Sequence, residues 1–115
     1  MKVELNETTL KDNTCSMGDD KWLTTTIIDA SKECEVFDLQ LVALDLDVMP
    51  WGDQSILSYC NHIKRIENTD LEHPIIQAPC GLIIDGWHRI TKAILEGRET
   101  IKAKRLKHLP IPDAS

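Results

Sequence analysis

The chain is poor in aromatic residues, with three Trp, one Tyr and one Phe among 115 residues. Base-stacking platforms of the kind that hold single-stranded nucleic acid need several exposed rings, so none is expected. Long apolar runs are missing too. None approaches the roughly 20 residues that cross a bilayer. Met1 to Asn13 lacks the apolar core of a signal peptide, so a cytoplasmic protein without membrane contact is expected. The four cysteines, Cys15, Cys34, Cys60 and Cys80, form no CxxC pair. In a reducing compartment they read as unpaired thiols, two or three of them packed as small hydrophobes. Zinc needs clustered ligands. Cys60 and His62 lie two apart in a predicted helix, where such positions face different sides, so no structural zinc is expected.

Positive charge is short overall: 19 acidic residues oppose 13 basic ones, for a net −6. That excludes a surface that coats duplex DNA through phosphate contacts. The average hides a division, however. Residues 1–53 carry 12 acidic and 4 basic residues, whereas 54–115 carry 7 and 9. Arg89, Lys92, Arg98, Lys102, Lys104, Arg105 and Lys107 fall within 86–108, against only Glu96 and Glu99. A basic C-terminal stretch follows an acidic N-terminal half.

A chain of this length buries roughly 65% of its unfolded surface and folds as one domain. Residues 1–20 are acidic and lack a clear period, which predicts a loosely packed arm with at most a short strand at Val3–Leu5. The β-branched run from Trp22 to Asp29 predicts a strand, and the alternation from Val36 to Leu46 a second. Asp53 is placed to cap a helix reaching Asn68, with Ile56, Leu57, Cys60 and Ile63 inward and Asn61, Lys64 and Arg65 in water. Strands at Pro74–Ala78 and Leu82–Ile84 follow, then a helix from Trp87 to Glu96 stopped by Gly97, and a strand at Thr100–Leu106. These elements predict an α/β (α+β) domain over 21–108, a small mixed sheet with two main helices, and a tail at 109–115.

The chemistry concentrates in Leu82 to Ala93 (LIIDGWHRITKA). An apolar strand passes through Gly86 directly into a helix, whose first free N–H groups form an anion-binding nest. His88, Arg89 and Lys92 sit in the first turns, where the helix dipole disfavours each positive charge by about 0.3–1 kcal/mol. A bound phosphate would turn that penalty into attraction. Asp85 is placed to cap the helix, to hold Mg²⁺ against phosphate oxygens, or to take a proton from an attacking hydroxyl. Trp87 serves packing or walls a nucleobase. Asp45 and Asp47, two apart on a predicted strand exit, offer a second carboxylate, with Asp47 the candidate general base.

Pro74-Ile75-Ile76, Gly81 to Gly86, His88-Arg89, Ala93, Gly97 and the final strand resemble the ParB/sulfiredoxin superfamily, over about residues 36–107. The resemblance implies a compact domain binding a nucleoside triphosphate, ATP or CTP with Mg²⁺, at the helix opening after the glycine. The Asp-Gly-x-His-Arg pattern of the stand-alone members maps onto Asp85, Gly86, Trp87, His88 and Arg89. His88 and Arg89 would then contact phosphates, and Asp85 would lie near the metal or the acceptor. Sulfiredoxins carry a catalytic cysteine immediately before His-Arg; here that position is Trp87, so sulfiredoxin activity is not expected. No helix-turn-helix follows, so specific duplex DNA binding is not expected either.

Three functions remain open. The first is nucleotide binding with Mg²⁺-dependent phosphoryl transfer or hydrolysis, using Asp85 and Asp47 as catalytic residues and Gly86, Trp87, His88, Arg89 and Lys92 on the phosphates. The second is a non-catalytic module that docks on a protein partner through residues 1–35, of the kind mobile elements encode, or pairs as a homodimer. The third is nucleic-acid binding or cleavage through the basic 86–108 face.

Overall fold

The computed structural model describes residues 1–5, 14–52 and 55–113. Its elements are β1 (Thr14–Met17), β2 (Asp20–Leu23), α1 (Thr24–Ala30), β3 (Phe37–Gln40), a 3-10 turn (Leu41–Ala43), α2 (Ile56–Asn68), β4 (Ile75–Gln77), β5 (Ile83–Asp85), α3 (Trp87–Leu95) and β6 (Thr100–Arg105). The class is α+β, as expected, with a four-stranded mixed sheet, a separate hairpin and three helices among the described residues. The sheet runs β3-β6-β4-β5, with β6 parallel to β4 and the other pairs antiparallel. α3 carries the chain from the β5 edge back to β6, which closes the parallel pair.

The sheet is buried on both faces because its strands alternate two apolar sets. Ile75, Ile101 and Ala103 pack with Leu41 and with Ile90 and Ala93 of α3. Ile76, Ala78, Ile84 and Leu106 meet Cys15, Trp22 and Ile27 on the other side. The β1–β2 hairpin and α1 therefore form the second covering layer. Residues 14–20, expected in a loose arm, are part of the folded core, turning at Gly18 with φ 61°. Residues 1–5 are exposed and hold no strand.

The strand expected over 22–29 ends at Leu23, and the β-branched run Thr24–Ile28 is helical. Local propensity costs at most about 0.7 kcal/mol per residue, whereas full burial of one isoleucine returns about 1.5–3 kcal/mol. Ile27 is completely buried, and packing wins. The expected tail is also engaged. Trp22 Nε1 donates to the Pro110 carbonyl at 2.9 Å, and Asp113 N–H donates to Lys21 O at 2.9 Å. The Asp113 carboxylate accepts from Leu23 N–H and Thr26 Oγ1, each at 2.9 Å. Residues 110–113 strap the hairpin and the start of α1.

α2 begins at Ser55, whose hydroxyl accepts from Ser58 N–H at 3.0 Å; Asp53, the expected cap, lies outside the described residues. Its buried side carries Asn61 and Ile66, while Ile56, Leu57, Tyr59 and Ile63 are exposed. The helix is thus turned about its axis from the expected facing. The strand expected over 36–46 stops at Gln40, where a 3-10 turn drops Leu41 into the core. No described helix is long and apolar enough to cross a membrane.

Trp22→Ala is expected to cost about 3–5 kcal/mol, because it empties the centre of the second core. Asp113→Ala, which removes the one carboxylate oxygen that accepts from Leu23 and Thr26, should cost about 0.5–2 kcal/mol. Urea unfolding of the three proteins would check the ranking.

Candidate functional site

The β5–α3 junction is set by a steric constraint. Gly86 is the N-cap of α3 with φ 122°. A Cβ there would lie 2.4 Å from Ile75 Cγ2 and 2.7 Å from Ile75 Cβ. Only glycine lets α3 start this close to β4. The glycine thus serves the helix–sheet approach, whatever it also does for a ligand. Asp85 does not cap the helix through its side chain. Its Oδ2 instead accepts from Arg89 Nη2 at 3.0 Å, a pair with side chains only 23% and 15% exposed. Arg89 Nε is buried without a hydrogen-bond partner among the described residues. An orphaned buried donor costs on the order of 1–3 kcal/mol.

This junction forms one wall of a cleft of about 350 Å³. α1 lends Thr24 and Ile28, and its C-cap Ser31; α2 lends Arg65; β6 lends Lys104; and Asp85, Gly86, His88 and Arg89 come from the junction itself. Three permanent cations, Arg65, Arg89 and Lys104, share the lining with one carboxylate, Asp85. Lys104 Nζ also donates to Ser31 O at 3.1 Å, at the C-terminal end of α1, where carbonyl dipoles favour a cation. The wall supplied by α1 lies upstream of the segment that carries the family resemblance.

His88 is held by a group that sequence reasoning placed in no site. Its Nε2 is 2.9 Å from Nδ1 of His62 on α2, one ring donating to the other. Trp51 stacks on both rings, with centroids 4.6 Å from His62 and 4.5 Å from His88. Burial, His62, Arg65 and Arg89, in that order, lower the His88 pKa from 6.5 to about 4. The imidazole is neutral at pH 7. The usable signal for His62 was its spacing of three from Arg65 on one helix, which places both on the same side.

The remaining predicted residues lie elsewhere. Trp87 packs against the core beneath α3. Lys92 Nζ donates to Glu67 O at 3.0 Å and Thr69 O at 2.8 Å, so its ammonium closes the C-terminal end of α2. Asp47 sits on an exposed loop and does not line the cleft. Its N–H donates to Asp45 Oδ1 at 3.0 Å in a local turn, not on a strand face. The basic stretch is largely engaged within the molecule. Lys102 pairs with Glu72, Arg98 with Glu96, and Arg105 donates to Pro79 O at 3.0 and 2.7 Å.

A Mg²⁺ held by the protein fits this cleft poorly. Mg²⁺ takes one or two carboxylates plus substrate phosphates. Asp85 is the single carboxylate among the described lining residues, and an arginine already occupies its Oδ2. No group of three or more His, Cys, Asp or Glu among the described residues is placed to hold a metal ion. Three cationic side chains and one carboxylate surround the opening of α3. No known protein family, curated protein or solved structure matches the chain.

Gly86→Ala should destabilise the fold by about 1–3 kcal/mol with no ligand present, which urea unfolding would register. The neutral His88 predicts a pH dependence. An unfolded chain protonates this ring near 6.5 and the folded one only near 4, so between those values the unfolded state binds more protons. Stability should therefore fall as pH drops from 6.5 to 4, and His88→Asn should flatten that slope in urea midpoints measured across the range.

Proposed function

We propose that the chain is a ParB/sulfiredoxin-like domain whose cleft binds the phosphates of a nucleoside triphosphate. One observation carries this reading: Arg65, Arg89 and Lys104 converge with the opening of α3 on one cleft, in a protein of net charge −6. Locating positive charge there works against both the chain's composition and the α3 dipole, and a bound polyphosphate repays both costs. The order of strand, glycine, His-Arg and crossover helix between β5 and β6 supports the family assignment. The volume suits a small ligand, at the lower end of the range for ligand pockets.

In this reading Arg89 holds the phosphate as a planar donor with Asp85 fixing its orientation, and Arg65 closes on it from α2. The N–H groups of Trp87 to Arg89 supply backbone donors at the helix opening. Gly86 keeps the junction open, and His88 faces the ligand from the first turn of α3. Trp87 and Lys92 act by holding α3 and α2 in place. A metal ion, where one takes part, would arrive on the nucleotide. ATP and CTP are both candidates, and Ile28 and Thr24 on the α1 wall supply the surface that would face the rest of the ligand.

Calorimetry with ATP and CTP tests the proposal. Binding should weaken as salt rises, since the attraction rests on partly screened charge. Arg65→Ala and Arg89→Lys should each weaken it by about tenfold or more, the cost of one charged hydrogen bond. Absence of binding by either nucleotide, or equal binding by both variants, would overturn the reading.

A further inference from the structure

The His62–His88 pair has a property that neither histidine has alone. Two imidazoles joined by N–H···N exist either neutral, with one donor and one acceptor, or with a single extra proton shared across the contact. A second extra proton would set two cations nitrogen to nitrogen at 2.9 Å. The pair therefore has room for one proton and titrates as a unit.

Its surroundings decide whether that proton is present. Burial opposes it, as do Arg65 from α2 and Arg89 from α3; Lys104 from β6 and His73 lie on the same cleft lining. Asp85 opposes them in turn but is paired with Arg89. The indole of Trp51, lying flat over both rings, favours a cation beneath it. Burial and these charges hold the His88 ring neutral at pH 7. A phosphate drawn in by Arg65 and Arg89 would cancel the two charges that repel the proton and attract the proton itself.

We propose that the His62–His88 pair is the proton-accepting element of the cleft, taking one proton from solvent when a phosphate-bearing ligand enters and releasing it when the ligand leaves. His62 is the positioning residue: it shares the proton with His88 and fixes that ring against Trp51. The inference rests on the phosphate reading of the cleft and adds a ligand-linked proton to it.

The test is calorimetry of ATP binding at pH 6.5 in two buffers of different ionisation enthalpy, on the wild type and on His62→Gln. The difference between the two proteins cancels the protons that ATP itself takes up. The wild type should take up more protons per ATP than the variant, by a fraction approaching one, and its affinity should rise more steeply as pH falls. Proton NMR of the histidine rings in the ligand-free protein provides a second readout. There His88 should titrate near pH 4 in the wild type and higher in His62→Gln. Equal proton uptake by the two proteins, or an unchanged His88 titration, would overturn the coupling while leaving nucleotide binding intact. Absence of ATP binding by the wild type would overturn the cleft reading, and the coupling with it.

Discussion

The contact between Gly86 and Ile75 governs this molecule. β5 turns into α3 in a single residue, and the helix begins against β4 because nothing larger than a hydrogen projects from Gly86. From that start the helix has one direction available. It lays Ile90 and Ala93 on Ile75, Ile101 and Ala103, and returns the chain to the sheet centre as β6. The same geometry brings Arg89 back onto Asp85 and carries His88 to His62. Steric exclusion at one Cβ thus places both the core and the polar groups of the cleft.

Charge is distributed by the fold in a way its sum conceals. Most cations of the C-terminal half are committed to local duties: Lys92 to the end of α2, Arg98 to Glu96, Lys102 to Glu72, Arg105 to Pro79. A continuous basic face for nucleic acid does not follow from them. Arg89 and Lys104 line the cleft, where Arg65 from another helix joins them. The low dielectric of a half-buried site makes these few charges count for more than the larger number in water.

Much of the order of elements was legible from residue 56 onward, because each of those segments is bounded by a punctuating residue whose geometry is local. Gly81, Gly86 and Gly97 all adopt positive φ. The N-terminal third was not legible in the same way. Thr24 to Ile28 carries strand-forming residues, and packing of Ile27 against core residues distant in sequence makes it a helix. α2 failed for a related reason. Its apolar stripe and its buried stripe differ, since Asn61 and Ile66 face inward and Ile56, Leu57 and Ile63 face out. A hydrophobic period locates a helix but does not say which side meets the sheet when polar residues line a cleft.

The sequence by itself determined the class of fold, the strand–glycine–helix junction and the residues Asp85, Gly86, His88 and Arg89 at it. Those properties depend on neighbours within a few positions. Tertiary structure alone decided that residues 14–30 cover the second face of the sheet and wall the cleft, and that residues 110–113 strap them down. It also decided that Asp47 and Lys92 stand apart from the cleft while Trp51, His62 and Arg65 join its polar groups. Such groupings arise where two elements distant in sequence are pressed together by burial of apolar surface, and that pressure has no period along the chain to reveal it.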